Sequence, residues 1–352
     1  MGEARWIRSA RVDGALAFAW LPFALVAHAV AGDADLLATV LGATFLLSFL
    51  HQPITLPLVY GDPAQLAARR RLFLLSPIVF VVAISGGLLV SLTAVAVVAG
   101  LWNAEHTLMQ RYGITRIYGR KAGQDDGGLE KAMLVSWLVL ALVWVGADTR
   151  TPARVDALTL GDTNANGLHV LTDLRPWALA LLVPVVLFVV ALGARWLLAE
   201  RARWQKGESN PAKLLYIGAT AALFGWILLD PVAGFVGYVG AHAVEYLVIV
   251  HRSVGSRFAD GSGGALGRVL RLPAGRRWFF GGYLSAFAVL VFAEKAYGSP
   301  EVYTFTVLLL GGLHVFYDGM IWKLRKPAVA RGLVDVHAAA SAAQPIAAVA
   351  SA

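Results

Sequence analysis

The chain has no cysteine, which excludes disulfides and thiol chemistry and leaves its redox compartment unconstrained. Charge is scarce as well: 15% of the 352 residues are charged and 58% are hydrophobic. A soluble domain averages roughly 25% charged and 45–50% apolar residues. No internal repeat is found. The net charge of +8 would suit a nucleic-acid partner, but Lys and Arg flank apolar runs as they do in cytoplasmic loops of membrane proteins, so no nucleic acid is expected. The N-terminal Met-Gly-Glu-Ala-Arg-Trp-Ile-Arg imitates the basic start of a signal peptide. The apolar stretch after it is longer than a signal core and reads as a retained first helix.

What is present comes in blocks. Gly14–Val30, Leu72–Leu88 and Trp177–Leu198 hold few or no charges, and about 20 apolar residues span a hydrocarbon core of about 30 Å. The fold class is therefore all-α, a polytopic membrane helix bundle of about ten transmembrane helices. Spans are predicted near 13–31, 36–60, 72–88, 89–110, 132–147, 177–199, 213–229, 232–251, 278–295 and 302–323. Ser85-Gly86-Gly87 and Asp230-Pro231 are read as tight turns. Residues 1–326 form one domain, and the Ala/Ser-rich 327–352 is expected to be a disordered tail.

Orientation follows from Lys and Arg in the short loops. One face collects Arg5, Arg8, Arg11, Arg69, Arg70, Arg71, Arg111, Arg116, Arg120, Lys121, Lys131, Arg201, Arg203, Lys206 and Lys213. It also takes six basic residues in 252–277 and those of the tail. The other keeps Arg150, Arg154, Arg175 and Lys295. Both termini are expected in the cytoplasm, in a bacterial cytoplasmic membrane. In the longest outer loop, Asp162, Asn164 and Asn166 have calcium-loop spacing without the closing Glu, so a solvated loop is expected.

Ionisable residues inside a bilayer are costly and tend to be functional. His51 lies on the second predicted helix. Asn103, Glu105, His106 and Gln110 lie on the fourth, His242, Glu245 and His251 on the eighth, and His314 and Asp318 on the tenth. His242 and Glu245 are spaced i,i+3, and His314 and Asp318 i,i+4, so each pair shares a helix face. All four helices run outside to inside in the expected topology. At 1.5 Å per residue the set falls in one slab roughly 7–15 Å below the cytoplasmic surface. Lone membrane histidines usually bond helix to helix; several at one depth, with carboxylates in phase, point to a shared metal site. Imidazole plus carboxylate suits one or two non-haem iron ions, with zinc or manganese as alternatives. His-x-x-Glu inverts the Glu-x-x-His order of soluble di-iron bundles while keeping the face. His28 stands alone, His169 falls in the outer loop, His337 in the tail, and His251 beside Arg252 is read as structural. Tyr112, Arg116, Tyr118, Arg120 and Lys121 are read as a headgroup anchor.

The order of these motifs resembles the bacterial Brp/Blh-type carotene-cleaving membrane oxygenases. His51, His106, His242 and His314 with Asp318 follow that order, and Gly311-Gly-Leu-His-Val-Phe-Tyr-Asp-Gly-Met-Ile-Trp-Lys is the part most like the family. The chain departs from it where Gln-Pro-Ile-Thr follows His51, where Glu245 or Tyr246 replaces a histidine, and in placing the first motif on the second helix. About forty residues carry the likeness. It implies a non-haem iron oxygenase with a long apolar substrate.

The resulting expectation is a membrane-embedded metalloenzyme, an iron- and oxygen-dependent oxygenase or related oxidoreductase acting on a lipid or isoprenoid. His51, His106, His242 and His314 are the expected ligands, with Glu105, Glu245 and Asp318 as ligands or their orienting partners. Molecular oxygen would be the co-substrate. Membrane lipids and a cytoplasmic electron donor would be its partners. The rivals are a proton- or cation-coupled transporter using the same residues, kept open by Pro53 and Pro57, and a non-catalytic protein whose histidines bond helices together.

Overall fold

A computed structural model describes residues 5–157, 169–170, 172–258, 263–323 and 333–334. Among the described residues the chain is helical throughout, with no strand. In chain order the helices are α1 (Ala10–Ala17), α2 (Trp20–Ala29), α3 (Ala34–His51), α4 (Thr55–Tyr60), α5 (Pro63–Ala68), α6 (Arg70–Val90), α7 (Leu92–Arg120) and α8 (Gly128–Ala147). There follow α9 (Thr151–Ala157), α10 (Arg175–Gln205), α11 (Pro211–Leu229), α12 (Pro231–Arg257), α13 (Gly264–Leu270), α14 (Gly275–Tyr297) and α15 (Pro300–Ile321). The starts are marked in the sequence. Asp33, Ser91, Asn210, Asp230 and Ser299 each accept a first-turn backbone N–H, and Pro follows Asn210, Asp230 and Ser299 at the first helical position.

Nine described helical segments are long and apolar enough to cross a membrane, which makes this an integral multi-pass membrane protein. The segments α1–α2 and α3–α4 each count as one span. The tenth long helix, α7, has 29 residues. It falls outside the apolar nine because Asn103, Glu105, His106, Gln110 and Arg111 dilute it. It also runs ten residues beyond the predicted end, through Arg120.

The predicted turn at Ser85-Gly86-Gly87 is not a turn. Those residues lie inside α6, and the chain reverses at Ser91, whose hydroxyl caps α7. Gly87 serves close packing instead, since a Cβ there would lie 2.7 Å from Val95 Cγ2.

The bundle centres on α12. Within its apolar stretch 72% is buried, against 6% for α10 and α14, which lie at the periphery. Packed against α12 are α2, α3, α7 and α11; α15 in turn packs on α4, α6, α7 and α14. Glycine lets α2 approach α12: a Cβ at Gly240 would lie 2.5 Å from the Phe23 ring, and one at Gly237 would lie 3.0 Å from the Trp20 carbonyl.

Several residues assigned to exposed loops turn inward. Lys213 is fully buried, and its ammonium meets Glu130 at 2.9 Å, Gln124 at 2.6 Å and Glu200. Arg203 bridges the same carboxylates at 2.5 Å and 3.2 Å, so two cations face two anions. Arg116 donates to the carbonyls of Gln124, Asp125 and Asp126, and Tyr118 is buried. Of the expected headgroup anchor, Arg116 and Tyr118 thus fold into the protein, while Tyr112, Arg120 and Lys121 are half-buried. Of the tail, Leu333 is buried in a cluster with Ile7 and Tyr118, and Lys121 donates to the Val334 carbonyl. Asp162, Asn164, Asn166 and His337 lie outside the described residues.

Replacing Lys213 by Ala removes the one fully buried cation of a set whose two carboxylates are buried and whose other cation, Arg203, is half-buried, and leaves a carboxylate without full compensation. A stability loss of about 3–5 kcal/mol is expected, read as a lower unfolding temperature of the detergent-solubilised protein. Lys213→Arg should recover part of it.

Candidate metal centre

The interior of the bundle holds four imidazoles from four helices. His51 ends α3 because Pro53 follows: proline lacks the N–H that would continue the ladder, and residues 52–54 tighten into a 3-10 turn before α4. His106 sits midway along α7, His242 on α12, and His314 with Asp318 on α15. All five are buried.

Their rings adjoin one another. Centroid separations are 4.7 Å for His51–His242, 5.1 Å for His242–His106, 4.9 Å for His106–His314 and 4.9 Å for His314–His51. Across the middle, His242 and His314 are 6.3 Å apart. With a metal–nitrogen bond of about 2.0–2.1 Å, each ring centroid lies roughly 3.2 Å from the ion. Opposed rings would then be roughly 6.4 Å apart and neighbouring ones roughly 4.5–5.2 Å, for bond angles between a right angle and a tetrahedral one. The four sides and the His242–His314 diagonal match such separations, and the ligand atoms form two overlapping triads that share His314.

The polar atoms agree. Nε2 of His106 and Nε2 of His314 are 3.2 Å apart, within the spacing of two adjacent ligands. Asp318 Oδ2 faces both, at 3.9 Å and 3.8 Å. Two triads, His51–His242–His314 and His106–His314–Asp318, have their ligand atoms within 4.8 Å of one another. Both ring nitrogens of His51 and of His242 are buried without a hydrogen-bond partner. The Leu47 carbonyl, one turn back, comes close to His51 without reaching hydrogen-bond geometry. Buried imidazole nitrogens are normally satisfied, because a buried unmet donor or acceptor costs about 1–3 kcal/mol. A bound cation gives these lone pairs a partner.

Not every expected ligand belongs to the set. Glu105 is exposed on the outer side of α7, since it directly precedes inward-facing His106 and adjacent helical positions point apart. Glu245 is fully buried but has another partner: Arg111 Nη2 lies 2.8 Å from its Oε1. Gln110 donates to the other oxygen of Glu245 at 3.2 Å and to the His242 carbonyl at 3.0 Å. The guanidinium lies over the Tyr216 ring and donates to Thr220 at 2.9 Å. Arg111, expected in a cytoplasmic loop, is thus the buried counter-ion of Glu245. His28 is not alone but pairs with Asp230 at 2.8 Å, His169 pairs with Asp156 at 3.0 Å, and the His251 ring packs on Phe280. All three lie away from the cluster.

Two further residues reach the centre that the sequence did not single out as ligands. Thr55, at the start of α4, lies 2.8 Å from His314 Nδ1 and 3.1 Å from Asp318 Oδ1. The Tyr246 hydroxyl lies 2.9 Å from Thr55 and 3.2 Å from Asp318 Oδ1, with its ring against those of His51 and His314. The four-residue interval from His51 to Thr55 was the available signal; the two prolines around it concealed the shared face.

No protein-family model, curated protein or solved structure matches this chain.

If Arg111 is what compensates Glu245, then Arg111→Met should be strongly destabilising, by about 3–5 kcal/mol. Adding Glu245→Gln should restore much of that loss. Glu245→Gln alone should leave bound metal unchanged. Unfolding temperature together with elemental analysis of the three variants checks this.

Proposed function

We propose that the chain is a membrane-embedded metalloenzyme, a non-haem iron oxygenase or related oxidoreductase acting on a lipid or isoprenoid. The observation that carries the reading is the convergence of four buried imidazoles, two of them with no partner for either nitrogen. His51, His106, His242 and His314 would hold the ion, with Asp318 supplying an oxygen beside it. Histidine and carboxylate oxygen suit iron, and zinc or manganese would also accept this donor set. Iron bound there would supply activation of molecular oxygen, with electrons from a donor on the cytoplasmic side.

The residues contribute the rest. The histidines come from four separate helices, so packing of α3, α7, α12 and α15 sets the donor positions before any ion arrives. Tyr246, whose ring lies against His51 and His314, belongs to an apolar cluster with Ile54, Leu313, Tyr317 and Val250 that would keep water away. A substrate able to reach so apolar a place from the bilayer is itself apolar. Arg111 neutralises Glu245, so that carboxylate adds no net charge beside the histidines.

The same reading takes α7 as a tenth span and places both termini in the cytoplasm, supported by the distribution of Lys and Arg among the connections. A proton- or cation-coupled transporter is the second reading. It is favoured by the interrupted helix at Gln52–Ile54, since broken helices often line ion sites in transporters.

Purified protein should carry iron, or another transition metal, that survives dialysis. His242→Ala and His314→Ala should each lower its content more than tenfold, as loss of a ligand leaves a vacancy a methyl group cannot fill. His28→Ala and Glu105→Gln should not. Metal-free protein that moves protons or cations across liposomes would favour the transporter.

Topology is checked separately. Reporter fusions after Arg71 and after Asp173 should give opposite signals, and equal signals would overturn the orientation.

A further inference from the structure

Thr55, on α4, is the point at which α12 and α15 are tied to the segment that carries His51. Its hydroxyl has one hydrogen to give and lone pairs to receive with. Three groups surround it: His314 Nδ1 at 2.8 Å, Asp318 Oδ1 at 3.1 Å and the Tyr246 hydroxyl at 2.9 Å. Asp318 as a carboxylate can only accept, and the Tyr246 hydroxyl also points at its Oδ1, at 3.2 Å. Every assignment that satisfies three of these four contacts has at least one of the two hydroxyls donating to Asp318 Oδ1. In each of them the hydroxyl oxygen of Thr55 receives the N–H of His314 Nδ1.

This shared pattern has two consequences. It places the His314 proton on Nδ1, so Nε2 presents its only lone pair towards His106 Nε2 and Asp318 Oδ2. It also occupies Asp318 Oδ1, leaving Oδ2 as the oxygen that faces the imidazoles. His314 belongs to both triads able to hold a cation. A neutral imidazole with one nitrogen committed to a hydroxyl has one lone pair left, and one lone pair serves one ion.

We infer that Thr55 is a positioning residue that fixes the donor atoms of His314 and Asp318, and that the cluster therefore takes one metal ion and not two. This rests on the metal-centre reading above. The position of Thr55 is itself a product of the Pro53 interruption. Residues 52–54 form a 3-10 turn, yet His51 and Thr55 both end within the cluster. An imidazole and a threonine hydroxyl from one chain segment thus meet the same His314.

The test is cobalt(II) titration of the full-length chain in detergent after chelator treatment, following the visible ligand-field bands and the ions bound per chain. Wild type should saturate at one cobalt. Thr55→Ser, which keeps the hydroxyl, should do the same with similar bands. Thr55→Val keeps the volume but cannot accept from His314 or donate to Asp318. It should bind cobalt about 10–100-fold more weakly, with shifted bands, at an unfolding temperature close to that of Thr55→Ser. Two cobalt ions per wild-type chain would overturn the inference, as would Thr55→Val binding as tightly as wild type. Should Thr55→Val fail to fold, wild-type stoichiometry and the match between Thr55→Ser and wild type still decide it: a departure from one ion, or a Thr55→Ser that loses affinity, overturns it. Wild type that takes up no cobalt would overturn the metal-centre reading itself, a result distinct from any of these.

Discussion

The interior of this bundle is organised around four buried imidazoles, two of which have no hydrogen-bond partner. Each neutral ring brings one donor and one acceptor into a region without water, and for His51 and His242 neither atom finds a protein partner. Burying them so costs about 1–3 kcal/mol per unmet group, a sum that several helices packing around a core do not tolerate without return. The spacing of the rings suggests what the return is. Separations of 4.7–5.1 Å around the ring of histidines and 6.3 Å between His242 and His314 leave room for a cation among them.

Two ion groups in the bundle are paired across helices. Arg111 with Glu245 is a fully buried pair, and Lys213 with half-buried Arg203 balances Glu130 and Glu200. Such groups add little net stability, since desolvation takes back most of the attraction, but losing one partner is severe. Their effect is specificity of packing: α7 is fastened to α12 through Arg111, and α8, α10 and α11 are fastened to one another through Lys213. Since α12 and α7 carry His242 and His106, the Arg111–Glu245 pair also sets the register in which those two rings meet.

Much of this was legible in the sequence. Apolar run length located the helices, and i,i+4 spacing put His314 and Asp318 on one face. A common depth grouped His51, His106, His242 and His314, which the structure brings together. Pattern reasoning failed where one residue type has two environments. Arg111, Arg116 and Lys213 were read as loop cations because the positive-inside rule counts charge and does not see partners; here carboxylates and carbonyls from distant helices draw them inward. Ser85-Gly86-Gly87 was read as a turn because glycine marks both reversals and close approaches, and Val95 decides between them. Glu105 was set beside His106 by sequence adjacency, although adjacent helical residues diverge by about 100°.

The interruption after His51 shows how fold and chemistry meet in one local event. Pro53 has no N–H to return to the preceding turn, so the helix tightens for three residues and resumes at Thr55. A regular helix would satisfy its own backbone and offer only side chains spaced by its period. An interrupted one can aim two side chains at the same neighbour. That neighbour is α15, where His314 and Asp318 receive the ring of His51 and the hydroxyl of Thr55. The carbonyl of Pro53 in turn accepts from Tyr283 on α14, so the interruption does not leave that backbone group bare. The prolines that weaken α3–α4 as a helix are thus what let it serve as the wall of a site.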